Sequence, residues 1–288
     1  MEDELMATVA IVTDSTADIP LAVREELDIA MVPLKVIIGG ETYLDNIELT
    51  PAQFYQKLTR SNDLAKSSQP SPSDFFETFK KLTEQGKSVV CISLSSVLSG
   101  TYQSALIAKS MLDDDADVTV IDSRSASYGY GLLVVAAAKL AREGADKTRI
   151  IEEVKRMRAS MKLYFLVDTL EYLQKGGRIG KASALIGTLL NIKPILSIDD
   201  EGYVYSFEKA RGQKRAFGRI AELLEEDFKG DPIELIIAKT PGFEDGLAEL
   251  SGLLKSRLNI IQYTETEIGP VIGAHAGPGT LGLFATRA

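Results

Sequence analysis

Four short stretches of this chain concentrate hydroxyls, glycines and basic groups. They are Lys66-Ser67-Ser68-Gln69-Pro70-Ser71, Ser95-Ser96-Val97-Leu98-Ser99-Gly100-Thr101, Lys175-Gly176-Gly177-Arg178-Ile179-Gly180-Lys181 and Gly273-Ala274-His275-Ala276-Gly277-Pro278-Gly279. The chemistry these residue types offer is that of an anion site, because hydroxyls and free backbone N–H groups at a helix start satisfy a carboxylate or a phosphate. Capping a helix that opens near Tyr102 needs only one of Ser95, Ser96 and Ser99, which leaves a hydroxyl for another task. The same residues also build turns with no ligand in reach. His275 is the single histidine, and the glycines around it permit close backbone approach while the imidazole donates to an acidic head group. Five cations, Lys209, Arg211, Lys214, Arg215 and Arg219, fall in one run without an acid. Arg211 precedes Gly212 and the helix after it, so it is the cation most able to turn into a cleft. Lys214, Arg215 and Arg219 share a helix face that either is simply solvated or faces an acidic partner.

Several familiar catalytic patterns are missing. Gly176 to Lys181 fails as a phosphate-binding P-loop, since Gly176 is one residue too close to Gly180 and Ala182 stands where Ser or Thr is needed. No G-x-S-x-G occurs, and the one S-x-x-K, Ser206-Phe207-Glu208-Lys209, lies in a strand-like run rather than at a helix start. A single histidine and a single cysteine rule out a His/Cys zinc cluster, so no metal or cofactor is expected. Cys91, inside Val89-Val90-Cys91-Ile92, reads as a core residue.

The loops need a framework to hold them, and the hydrophobic pattern supplies an alternating one. Val9 to Thr13 is a short apolar β-rich run ending at Asp14-Ser15-Thr16, as a buried parallel strand feeding a polar loop should be. Thr50-Pro51 and Ser71-Pro72 each place a capping hydroxyl before a proline at the first helical position, opening helices over Ala52–Leu58 and Ser73–Gln85. Further strands are expected at 88–94, 118–122, 163–167, 193–198, 203–207 and 233–239, with two more at the carboxyl end. Helices are expected near 102–112, 131–142, 148–161, 213–227 and 244–258. This is an α/β chain with binding loops at the carboxyl ends of strands. Two domains, 1–160 and 161–288, are expected, each with a β-sheet covered by helices.

At 288 residues, with 45% apolar and 25% charged side chains, the chain is long enough to bury two cores. Its 32 basic and 41 acidic residues leave a net charge of -9, which argues against nucleic acid as a partner. No apolar stretch reaches the roughly 20 residues of a spanning helix, and Met1-Glu2-Asp3-Glu4-Leu5 is acidic where a leader is basic. One cysteine suits a reducing compartment. A cytoplasmic protein without an integral membrane segment is expected.

Five segments in order resemble the DegV family over nearly the whole chain. They are Val12-Thr13-Asp14-Ser15-Thr16-Ala17-Asp18-Ile19-Pro20, Ser67-Ser68-Gln69-Pro70-Ser71, Leu98-Ser99-Gly100-Thr101-Tyr102-Gln103, Leu173-Gln174-Lys175-Gly176-Gly177-Arg178-Ile179 and Gly269-Pro270-Val271-Ile272-Gly273-Ala274-His275. The resemblance implies a two-domain α/β protein that encloses a long-chain fatty acid. It further implies a FakB-type subunit of fatty acid kinase, serving phospholipid metabolism without itself being the phosphotransferase. The implied partner is an ATP-binding subunit related to dihydroxyacetone kinases, which converts the presented carboxylate into an acyl phosphate. On this resemblance Ser67, Ser68, Ser99, Arg211 and His275 surround the carboxylate, with Arg211 or a protonated His275 among the groups that satisfy its charge. Ser67 stands where the family commonly has threonine, and Ala274 and Ala276 flank the histidine where threonines are frequent. The alternative is a self-sufficient acyl hydrolase or kinase using Ser99 and His275.

Overall fold

Alternation of short β-rich runs with amphipathic helices produces a mixed α/β architecture, seen here in a computed structural model that describes residues 8–61, 64–187, 192–241 and 243–288. The acidic Met1 to Leu5, on which the leader argument rests, lies outside the described residues. In chain order, β1 (Val9–Asp14) and α1 (Leu21–Glu26) precede β2 (Ala30–Val32), β3 (Lys35–Ile38) and β4 (Glu41–Leu44). Next come α2 (Pro51–Arg60), β5 (Lys66–Ser68), α3 (Pro72–Thr83), β6 (Ser88–Ser93), α4 (Thr101–Ser110), β7 (Val118–Asp122), α5 (Tyr128–Arg142) and α6 (Lys147–Ser160). The chain continues through β8 (Lys162–Leu166), α7 (Glu171–Lys175), β9 (Ile192–Ile198), β10 (Val204–Arg211) and α8 (Gln213–Phe228). It ends with β11 (Ile233–Lys239), α9 (Glu244–Arg257), β12 (Ile260–Glu267), α10 (Pro270–Ala276) and β13 (Leu281–Arg287). Both proline-led helices form where expected. Thr50 and Ser71 cap α2 and α3, each within a reciprocal capping box completed by Gln53 and Asp74.

The chain makes two units, but not two consecutive halves. The first comprises the chain through Lys35 together with Ser68–Ala159, and the second Val36–Ser67 together with Ser160–Ala288. A single cut at residue 160 therefore misplaces residues 36–67. Strands β3, β4 and β5 form their own three-stranded sheet, in the order β4-β3-β5, and α2 packs on α10 from the far end of the chain.

The first unit is built on a parallel sheet in the order β2-β1-β6-β7, in register through pairs such as Val12 with Cys91 and Val89 with Val118. Val12, Val89 and Cys91 pack with Phe75 and Phe79 of α3 and Ala105 and Ala108 of α4. Burial pushes the Cys91 thiol up to about 12, as for an inert core residue. Because these strands are parallel, β1, β6 and β7 all deliver their carboxyl ends to one edge, where an open α/β sheet places its binding loops.

The second unit has a six-stranded sheet, β10-β9-β8-β13-β11-β12, in which β11 and β12 pair in parallel and the other neighbouring strands pair antiparallel. Local connection explains this departure from simple alternation: β9 turns directly into β10, with Asp199 N–H bonded to Tyr203 O at 3.0 Å and no helix between to allow a parallel crossover. Phe217, Ile220 and Leu224 of α8 and Leu250 and Leu254 of α9 join Leu235, Ile237 and Leu283 of the sheet in one apolar core. Among the described residues no helix is long and apolar enough to cross a membrane.

Candidate functional site

In the second unit, His275 is held in the last turn of a helix rather than in a loop. Pro270 starts α10 at its first position, and the glycine that suggested a loop, Gly273, is inside the helix. A Cβ there would lie 2.3 Å from Tyr55 Oη and 3.1 Å from Phe54, so close packing against α2 is what requires glycine. Tyr55 in turn donates to Ile268 O at 3.2 Å, tying α2 to the chain just ahead of α10. The Lys66 to Ser71 stretch likewise begins as strand β5, which places Ser67 Oγ 2.7 Å from His275 Nε2.

The opposite side of the imidazole meets the chain just after α7. A Cβ at Gly176 would lie 2.4 Å from His275 Nδ1, so only glycine lets the ring sit there. Arg178 folds back to donate to Gly176 O at 2.6 Å. Burial, and secondarily the Arg178 charge, lower the His275 pKa from 6.5 to about 4. The ring is therefore neutral near pH 7, which corrects the expectation that a protonated His275 could supply charge. Its Nδ1 is buried without a hydrogen-bond partner among the described residues. An orphaned N–H there would carry the full desolvation penalty, about 1–3 kcal/mol. A bare Nδ1 is an orphaned acceptor and pays in the same way, so the pair has two arrangements: with the proton on Nε2 that N–H donates to Ser67 Oγ and frees the Ser67 O–H to donate onward, and with it on Nδ1 the Ser67 hydroxyl donates to Nε2. Arg178 and Gly176 were not among the candidate site residues, although the segment carrying them was; only their approach to the ring reveals their part.

In the first unit, the candidate hydroxyls lie between β6 and α4. Ser96 is committed to Asp122, through its N–H at 3.1 Å and its hydroxyl at 2.6 Å. Gly100, not a serine, is the residue that caps α4, and Gln69 lies over it so closely that a Cβ would meet Gln69 Oε1 at 2.1 Å. Gln69 also donates to Ser104 Oγ at 3.1 Å, pinning its loop to α4. Ser99 is half-buried, accepts from Thr101 N at 3.3 Å and contacts Thr101 Oγ1 at 2.9 Å. Ser68 is exposed and makes a long bond of 3.4 Å to Gln69 O.

Within the second unit the structure thus joins Ser67 to His275. Arg211 ends β10 as an exposed side chain on the rim of a cleft of about 640 Å³, with Asp168 and Lys193, themselves 2.7 Å apart, on its lining. The run of cations after it is less uniform than its spelling. Arg219 is held by Glu208 at 2.7 Å, Glu226 at 3.1 Å and Glu222 at 3.2 Å, which raises its pKa further and removes it from any free basic face. Lys214 and Arg215 remain exposed.

Comparison with known proteins adds an independent finding. Residues 8–288 match the family described as "Uncharacterised protein, DegV family". A DegV domain-containing protein of Listeria innocua is 40% identical over 276 residues, covering 96% of this chain and 97% of that protein. Among solved structures, a fatty-acid-binding DegV family protein from Thermus thermophilus superposes with a TM-score of 0.91 at 36% identity, covering 98% of this chain and all of that one. DegV from Bacillus subtilis, described as a fatty acid binding protein, gives a TM-score of 0.88 at 36% identity, with the same shares of the two chains covered.

Proposed function

We propose that this chain, which belongs to the DegV family, binds a long-chain fatty acid and presents its carboxylate to a separate ATP-dependent kinase subunit that forms the acyl phosphate. The observation carrying the reading is the Ser67–His275 pair: a half-buried hydroxyl 2.7 Å from a histidine that burial keeps neutral. A neutral imidazole donating to Ser67 makes that hydroxyl a donor for a carboxylate, not a nucleophile facing a base. Ser99, Ser68 and Arg211 supply the further donors. Fatty acid binding by solved relatives alike over nearly the whole chain supports the ligand class.

The energetics divide the work. A saturated chain of about sixteen carbons gains roughly 0.8 kcal/mol per buried CH₂, or about 11 kcal/mol gross, before ordering costs. One hydroxyl bonded to a charge adds only about 1.5–3 kcal/mol, so the tail supplies affinity and the polar groups fix the head. Nothing in the chain spells a phosphate cradle: the Gly176 to Lys181 segment leaves α7 and enters a 3-10 turn at Gly180–Leu185 instead of opening a P-loop helix. The partner, a subunit related to dihydroxyacetone kinases, brings ATP.

Two measurements test this. Native mass spectrometry of the gently purified protein should show a bound fatty acid. Acyl phosphate should form from ATP only when the kinase subunit is added. Fatty acid phosphorylation by this chain alone, at high purity, would replace the reading with a self-sufficient kinase.

A further inference from the structure

The first unit buries an unusual polar group at the carboxyl edge of its sheet. Asp14, the last residue of β1, is completely buried. Its Oδ2 accepts Leu94 N–H at 2.9 Å, and its Oδ1 accepts Thr16 N–H at 3.1 Å and Tyr130 Oη–H at 2.7 Å, with the Thr16 hydroxyl also bonded to Oδ1. The donors come from three places: the turn after β1, the residue that follows β6, and α5. A side chain that only filled this space would be apolar, like the neighbouring Val12 and Ile92, and would avoid the cost of burying a carboxylate.

What the carboxylate does locally is set the point at which the chain leaves β6. Leu94 follows the last residue of that strand, and its N–H goes to Asp14. Ser95 comes next, and its carbonyl accepts both Leu98 N–H at 3.0 Å and Ser99 N–H at 3.2 Å. A short path of hydrogen bonds and backbone therefore runs from Asp14 through Leu94 and Ser95 to the main chain of Ser99. The turn is held from the other side by Ser95 N–H on Ser125 O at 3.0 Å and by the Ser96 bonds to Asp122.

We propose that Asp14 is the positioning residue for Ser99, its buried carboxylate anchoring the turn that aims the Ser99 hydroxyl at a ligand carboxylate. The proposal rests on the reading of Ser99 as a carboxylate donor. Tyr130, bonded to the same oxygen, is the second member of the device.

The test compares binding of cis-parinaric acid with that of its methyl ester, which keeps the tail and removes the charged head. Ser99→Ala should cut acid affinity about tenfold, one charge-assisted bond's worth, with ester affinity within about twofold. Asp14→Asn should do the same. In the double variant the acid should bind no more weakly than to Ser99→Ala, because both changes remove one interaction. Should Asp14→Asn fail to fold, Tyr130→Phe decides: it deletes one hydroxyl, keeps the ring, and should weaken acid binding about threefold and ester binding not at all. Equal losses for acid and ester, or losses that multiply with those of Ser99→Ala, would overturn the proposal, since Asp14 would then serve the fold alone. An unchanged acid-to-ester ratio in Ser99→Ala would instead overturn the underlying reading of Ser99.

Discussion

The neutrality of His275 can be measured directly, because the chain holds one histidine and so gives one set of imidazole resonances. The perturbation is a fall in pH on the ligand-free protein. With a folded pKa of about 4 against an ordinary 6.5, the native state prefers the neutral ring and the unfolded state takes up the proton first. The stabilisation is thus complete above pH 6.5 and is lost as pH falls toward 4. Each pKa unit corresponds to about 1.36 kcal/mol, so linkage assigns a loss of about 2 kcal/mol by pH 5 and about 3 kcal/mol by pH 4. Other groups contribute to the pH dependence, the buried Asp14 among them, whose pKa burial raises and which acts in the opposite sense. Comparison with His275→Gln cancels them: the glutamine amide still reaches toward Ser67 but does not titrate. Urea unfolding at pH 7.5 and pH 5 should show the wild type losing about 2 kcal/mol relative to the variant. Nitrogen shifts of the ring should place the proton on Nε2. Parallel curves, or an imidazole that titrates near 6.5, would refute the burial argument, and a proton placed on Nδ1 would refute the assignment of Ser67 as an onward donor.

Other outcomes follow from the same geometry. Ser99→Ala should weaken fatty acid binding by about 1–3 kcal/mol through the head group, read by displacement of a fluorescent fatty acid. Gly176→Ala drives a methyl to within 2.4 Å of His275 Nδ1; it should shift the imidazole resonances and lower stability by about 1–3 kcal/mol in the same unfolding assay. Lys214→Glu with Arg215→Glu should slow acyl phosphate formation in the two-protein reaction and reduce its salt sensitivity, leaving fatty acid affinity intact. Arg211→Ala should do the reverse, weakening fatty acid binding itself, as the same displacement assay would show.

Elements whose causes are local were legible from the chain. A hydroxyl before a proline marks a helix start whatever lies elsewhere, and α2 and α3 begin where Thr50 and Ser71 said they would. The strands with continuous apolar runs, β1, β6 and β11, were equally plain. Strand β5 was not, because three residues show no period, and Lys66–Ser68 is a strand only through the sheet it joins.

The site suffered most from causes that are not local. Ser67 and His275 lie 208 positions apart, and the excursion of residues 36–67 into the second unit is what lets them meet. Glycine misled for a related reason. At Gly177 a φ of +72° demands glycine for its backbone, the cause usually assumed. At Gly176 and Gly273 the backbone is helical or close to it, and glycine is demanded by an imidazole and a phenol that arrive from distant segments. The cations make the same point with opposite sign. Arg219 stood in a run without acids, yet Glu222 and Glu226 are three and seven residues on, and Glu208 reaches it from β10. Residue type announces what a group can do, whereas its charge state in the fold depends on neighbours that only tertiary packing supplies. His275 is the clearest instance: a residue suited by type to be a cation is kept neutral by burial and by Arg178, and Ser67 donates onward when that neutral ring carries its proton on Nε2.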